Sequence, residues 1–166
     1  MRPDRPQTAF GAAGGMALGA ILAVALLLPC GAAAQVADGA WGKRAPLLEP
    51  NSEFAVAALD RKIYVLGGYP ADRVTVRTVQ VYDIDADRWR LGPPLPEPNN
   101  HGMAAAVGGK VYAIGGQLTA EGGERAGYVD TVYELDPAAG QWVAKAPMPT
   151  ARSAGVAVVL DDKIYV

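Results

Sequence analysis

The stretch Lys62-Ile63-Tyr64-Val65-Leu66-Gly67-Gly68 returns 48 residues later as Lys110-Val111-Tyr112-Ala113-Ile114-Gly115-Gly116. It opens again, another 53 residues on, as Lys163-Ile164-Tyr165-Val166. An apolar five-residue run closed by a double glycine, recurring at a fixed period of about 50 residues, is the mark of a repeat architecture. The tryptophans keep the same beat, because Trp41, Trp89 and Trp142 are separated by 48 and then 53 residues. Pro46, Pro94 and Pro147 each follow their tryptophan by five residues, inside Ala45-Pro46, Pro93-Pro94-Leu95-Pro96 and Ala146-Pro147-Met148-Pro149.

Within one period the strand signals are consistent. Phe54–Leu59, Met103–Val107 and Val156–Leu160 are apolar runs of strand length, each followed by a two-residue break. The breaks are Asp60-Arg61, Gly108-Gly109 and Asp161-Asp162, which suit tight hairpin turns. Lys62–Leu66 and its copies form the second strand. After a variable loop, Val81-Tyr82-Asp83-Ile84 and Val132-Tyr133-Glu134-Leu135 form the third, and a short fourth strand surrounds Trp89 or Trp142. Aligning Tyr82 with Tyr133 places three of the five extra residues of the second period in the loop after Gly-Gly and two in the polar turn before the tryptophan.

Composition agrees with an all-β chain. The 166 residues include 20 Gly and 13 Pro, and helical periodicity is absent beyond the first 30 residues. A net charge of -2 leaves no basic footprint for nucleic acid. The N-terminus reads as a signal peptide over residues 1–34. Arg2, Asp4 and Arg5 form a polar start, Phe10 to Leu28 carries no charge, and Ala32-Ala33-Ala34 offers small residues for cleavage. A retained anchor is the alternative, although the Gly- and Ala-rich run is short for a span. Acylation of Cys30 is another, with Pro29 where lipoprotein signals usually carry a small residue. Arg2 and Arg5 are not adjacent, so a twin-arginine signal is not supported. Cleavage would start the mature chain near Gln35, remove the single cysteine, and address the protein to the periplasm or the exterior, free of the membrane.

The double glycine, the following tyrosine and the late tryptophan resemble the kelch motif, present as Gly67, Gly68, Tyr82 and Trp89 and again as Gly115, Gly116, Tyr133 and Trp142. The resemblance covers residues 41–166, with repeats at about 41–89, 89–142 and a truncated 142–166. It implies kelch-type β-propeller blades of four antiparallel strands, as in bacterial exported kelch proteins and galactose-oxidase-like central domains. Residues 35–166 supply about two and a half blades, and a ring needs about four to eight. The expectation is therefore an incomplete ring from a longer protein, with Trp41 in a fourth-strand position. The motif residues are read as scaffold that builds the stack.

Candidate functional residues precede each first strand: Asn51-Ser52-Glu53, Asn99-Asn100-His101 and Arg152-Ser153-Ala154. In kelch proteins the corresponding loop resembles one that presents side chains at the pore mouth. Arg152 stands at the arginine position, which Asn51 and Asn99 occupy in the other repeats. With one histidine in the chain, no His-rich metal site can be assembled, and the copper-oxidase chemistry of galactose oxidase has no match. Asp83, Asp85 and Asp87 begin like a calcium loop, but Arg88 and Pro94 stand where Gly and Glu are required. No glycine cluster carries a phosphate-loop lysine, and no cofactor is expected. The preferred expectation is a module binding a protein or glycan through these loops. The alternative is a carbohydrate-active enzyme resembling periplasmic sialic acid mutarotases, with Glu53 and His101 as an acid/base pair.

Overall fold

The structure, a computed structural model, describes residues 39–119 and 125–166. The expected signal segment 1–34, Cys30 and the expected start near Gln35 lie outside the described residues. The three inner hairpins form on turns in which both residues take positive φ: Asp60 and Arg61 (47° and 58°), Gly108 and Gly109 (59° and 73°), Asp161 and Asp162 (49° and 57°). This is the type I′ geometry, whose twist matches that of the flanking strands. Arg61 adopts it while its guanidinium grips Asp85 through Nε (2.8 Å) and Nη2 (2.5 Å).

Strands β1 (Ala55–Leu59), β2 (Lys62–Leu66), β3 (Val79–Asp83) and β4 (Arg88–Leu91) form one antiparallel sheet in that order. The second repeat gives β5 (Met103–Val107), β6 (Lys110–Ile114), an inserted hairpin β7 (Gln117–Thr119) and β8 (Arg125–Tyr128), then β9 (Val132–Asp136) and β10 (Gln141–Ala144). Here β5, β6, β9 and β10 make the second four-stranded sheet, and β7 pairs only with β8. Strands β11 (Val158–Leu160) and β12 (Lys163–Tyr165) pair as the start of a third blade. The blades do not close a ring. Trp41 lies in no strand, unlike the fourth-strand position expected for it.

The register corrects one reading of the repeat. Tyr82 lies opposite Ile63 and Trp89, but the residue opposite Val111 and Trp142 is Leu135, not Tyr133. Asp83 therefore corresponds to Asp136, and each caps its turn alike, through Oδ1 to the amides two and three residues on. The two turns have equal length, and all five extra residues belong to the loop carrying β7 and β8. A slip of two residues leaves every side chain on its original face, so hydrophobic alternation could not distinguish the two alignments.

Successive blades stack face to face. Ala55, Ala57, Tyr64, Leu66, Val79 and Val81 of the first blade pack on Val111, Ala113 and Leu135 of the second. Met103, Ala105 and Ile114 pack toward Ala157 and Ile164 of the third repeat. Trp89 and Trp142 each tie their blade to the preceding proline segment. The Trp142 indole N–H donates to Pro93 O (2.9 Å), and that of Trp89 to Ala45 O (2.9 Å). Leu95 of the second proline segment is buried in the same core.

Two phenols report this packing. The Tyr112 hydroxyl donates to Glu134 Oε2 (2.6 Å), and that bond with burial pushes it up to about 12. Burial, then the bond to Glu97, does the same to Tyr133, also to about 12. Folding favours the neutral phenols, so their contribution is intact below the ordinary tyrosine value near 10 and disappears as pH rises toward about 12. A phenolate absorbance titration is expected to show late-ionising phenols, one fewer in Tyr112→Phe. An unchanged titration in that variant would count against the assignment.

Candidate functional site

The three loops preceding β1, β5 and β11 meet at one end of the blades, and the double glycines hold them there. Gly68 N donates to Asn99 O (2.8 Å), and Gly116 N to Arg152 O (2.8 Å), so each glycine pair binds the loop of the next blade. A second ladder runs one step inward. His101 N donates to Glu53 O (2.8 Å), and Ala154 N donates to His101 O (2.8 Å). To make those bonds Glu53, His101 and Ala154 all adopt left-handed φ, at 54°, 50° and 54°. Such values are uncommon outside glycine and concentrate where neighbouring structure imposes them.

Asn51 and Asn99 face their own blades. Asn51 Nδ2 donates to Gly67 O (2.7 Å) and Asn99 Nδ2 to Gly115 O (2.8 Å), so both amides serve the backbone. Ser52 exchanges backbone bonds with Tyr69 (2.9 and 2.8 Å). Asn100 is 1% exposed, beneath the loop surface. Its Nδ2 donates to Thr75 Oγ1 (2.9 Å) and Thr119 Oγ1 (3.2 Å), while its Oδ1 accepts from His101 Nδ1 (2.6 Å).

That arrangement orients the imidazole. With Nδ1–H held by the Asn100 carbonyl oxygen, Nε2 turns to Glu53, whose Oε2 lies 3.3 Å away. Tyr69 meets the imidazole edge-on, with ring centroids 6.1 Å apart, and Arg73 lies over the Tyr69 ring. The structure thus brings Glu53 and His101 together across two blades, with Asn100 as the positioning residue behind them.

The third loop adds a different surface. Exposed Arg152 and half-buried Ser153 line a cleft of about 340 Å³ with Tyr128 and Val156. Ser153 Oγ lies 3.4 Å from His101 O, so the cleft adjoins the imidazole loop. Tyr128 comes from the inserted β8 and is 58% exposed. In the sequence it falls within the variable loop, where its one signal is an aromatic at the end of the longer insertion. Asp83, Asp85 and Asp87 serve the turn amides, Arg61, and the Ala45 amide with the Tyr82 hydroxyl, respectively. Among the described residues no group of three or more His, Cys, Asp or Glu is placed to hold a metal ion.

Comparison with known proteins follows the same repeats. The family model described as Kelch motif matches residues 50–96 and 104–149, together more than half of the chain. Kelch-like protein 36 of Mus musculus is 51% identical over 54 residues, covering 32% of this chain and 9% of that protein. Kelch-like protein 22 of Homo sapiens is 41% identical over 58 residues, covering 34% and 9%. The solved structure of YjhT superposes with a TM-score of 0.61 at 20% identity, over 74% of this chain and 34% of that one. The match thus spans about a tenth of the length of these curated relatives and a third of YjhT.

Proposed function

This chain belongs to the kelch-repeat family, and from that premise we propose that it is an exported module binding a protein or glycan at the loop end of its blades. The observation that carries the reading is the cleft in which Arg152 and Ser153 meet the exposed ring of Tyr128. A planar guanidinium fork, a hydroxyl and an open aromatic face together suit a ligand with acceptors on one side and an apolar face on the other. The ladders of backbone bonds set these groups on a rigid support, the usual arrangement for recognition loops. Arrays of glycans and of secreted proteins test the proposal. Arg152→Ala is expected to weaken the best ligand about tenfold or more, as loss of a charged hydrogen bond does. Unchanged affinity would remove Arg152 from the binding surface.

A second reading rests on the Glu53 and His101 pair at 3.3 Å. A carboxylate beside an oriented imidazole can relay a proton, which is what interconversion of sugar anomers requires. The test is the rate at which N-acetylneuraminate anomers equilibrate, followed by NMR. His101→Asn is expected to abolish any acceleration, and a rate equal to that in buffer would leave binding as the sole reading.

A further inference from the structure

The two blades carry the same tyrosine in different company. In the second blade, Tyr112 lies opposite Glu134, whose Oε2 accepts from the phenol (2.6 Å) and from Lys145 Nζ (3.2 Å). Two residue pairs nearer the turn, Lys110 stands by the same register opposite Asp136 and contacts it at 2.6 Å. In the first blade the register position of Glu134 is taken by Val81, directly between Tyr64 and Arg90. Tyr64, only 3% exposed as a whole residue, lines a cleft, and no group among the described residues hydrogen-bonds its hydroxyl. Nor does Lys62, opposite Asp83, or Arg90 belong to any ion pair among those residues; Arg90 only touches Leu91 O at 3.4 Å.

These groups line one cleft of about 480 Å³ between the turn ends of the two blades, away from the loop end, together with Asp60, Lys110 and Asp136. Asp136 is already engaged by Lys110 and by the amides of Ala138 and Ala139. Three cations against two carboxylates leave the lining of the cleft one positive charge in excess, beside a phenol hydroxyl that opens onto it. Burial pushes the Tyr64 phenol up, and the nearby Arg90 charge pulls the other way. The Tyr64 hydroxyl is not among the fully buried unpaired polar atoms, so it meets the solvent of the cleft, where a ligand acceptor would replace water on it.

We propose that this cleft binds a carboxylate supplied from outside the chain, which takes the place that Glu134 fills in the second blade and accepts hydrogen bonds from the Tyr64 hydroxyl and the Arg90 guanidinium. The carboxylate can come from a free sugar acid or from an acidic side chain of a partner protein, and both offer the same planar pair of oxygens.

Calorimetric titration of the full chain at low salt separates the sources. D-glucuronate and a capped glutamate peptide are the acidic probes; the methyl ester of glucuronate and the glutamine peptide are their neutral counterparts. At least one acid is expected to bind, about tenfold or more tighter than its neutral form, and the one that does so identifies the source. Tyr64→Phe, which keeps the buried ring, and Arg90→Met are each expected to reduce that affinity about tenfold. Val81→Glu would supply the carboxylate internally and is expected to abolish binding. Should that variant fail to fold, the first two decide the matter. Equal binding of acid and neutral forms, no binding of either acid, or wild-type affinity in both Tyr64→Phe and Arg90→Met would overturn the proposal.

Discussion

Replacing Gly67 with alanine is expected to destabilise the protein by more than about 4 kcal/mol, an unusually large effect for one methyl group. Two terms combine. Gly67 sits at φ +64°, where a side chain costs about 1–2 kcal/mol. The added Cβ would also stand 2.2 Å from Asn99 O and 3.2 Å from its carbonyl carbon. That oxygen is backbone and accepts from Gly68 N, so it cannot withdraw without breaking the bond between the blades. Gly108→Ala is the control, because its φ is +59° with no atom within 4 Å of the new Cβ. It is expected to lose only the conformational term of about 1–2 kcal/mol. Denaturant unfolding of both variants measures the difference. Equal losses would mean that the close approach between blades is not what requires glycine at Gly67.

Leu135→Ala is expected to cost about 3–5 kcal/mol by the same measurement. Leu135 is 0% exposed and lies on the face of the second blade that packs against Val79 and Val81 of the first. Removing its side chain opens a void between two sheets whose separation is held by the Trp142 bond to Pro93 and by the glycine ladder. The walls therefore cannot collapse to fill it, and large-to-small changes are most damaging where collapse is prevented. Val159→Ala offers the contrast, since Val159 is exposed on the third repeat and is expected to change stability by less than about 1 kcal/mol. A small loss for Leu135→Ala would show that the blades associate without this contact.

The blade and its inner hairpins were legible because they are written locally. Short apolar runs, two-residue turns and the glycine pairs act over a few residues, and a period near 50 repeats them. The inserted hairpin escaped notice, since β7 is three residues long and its pairing with β8 crosses a glycine-rich stretch that reads as loop. At the site, the loops themselves were identifiable from their place before each first strand. Their division of labour was not. Asn51 and Asn99 turn inward to glycine carbonyls, whereas Glu53 and His101 meet across blades. Residue type gives no preference between those outcomes, because an asparagine amide suits a backbone carbonyl and a ligand equally.

Sequence alone sufficed for the kelch repeat, the strands of each blade and the three turns, because each depends on neighbours within one hairpin or on the repeat itself. Tertiary structure decided the third-strand register, which a two-residue slip leaves degenerate in pattern, and hence which residue stands beside Tyr64. It also decided why both glycines of each pair are needed: the first is pressed by the next blade's loop, the second by an asparagine of its own. Those contacts join residues far apart in the chain, and no local periodicity encodes which of them will meet. The Tyr64 hydroxyl, without a hydrogen-bond partner among the described residues, is the plainest case, since Tyr64 and Tyr112 occupy the same place in the repeat and differ in what the folded sheet sets opposite them.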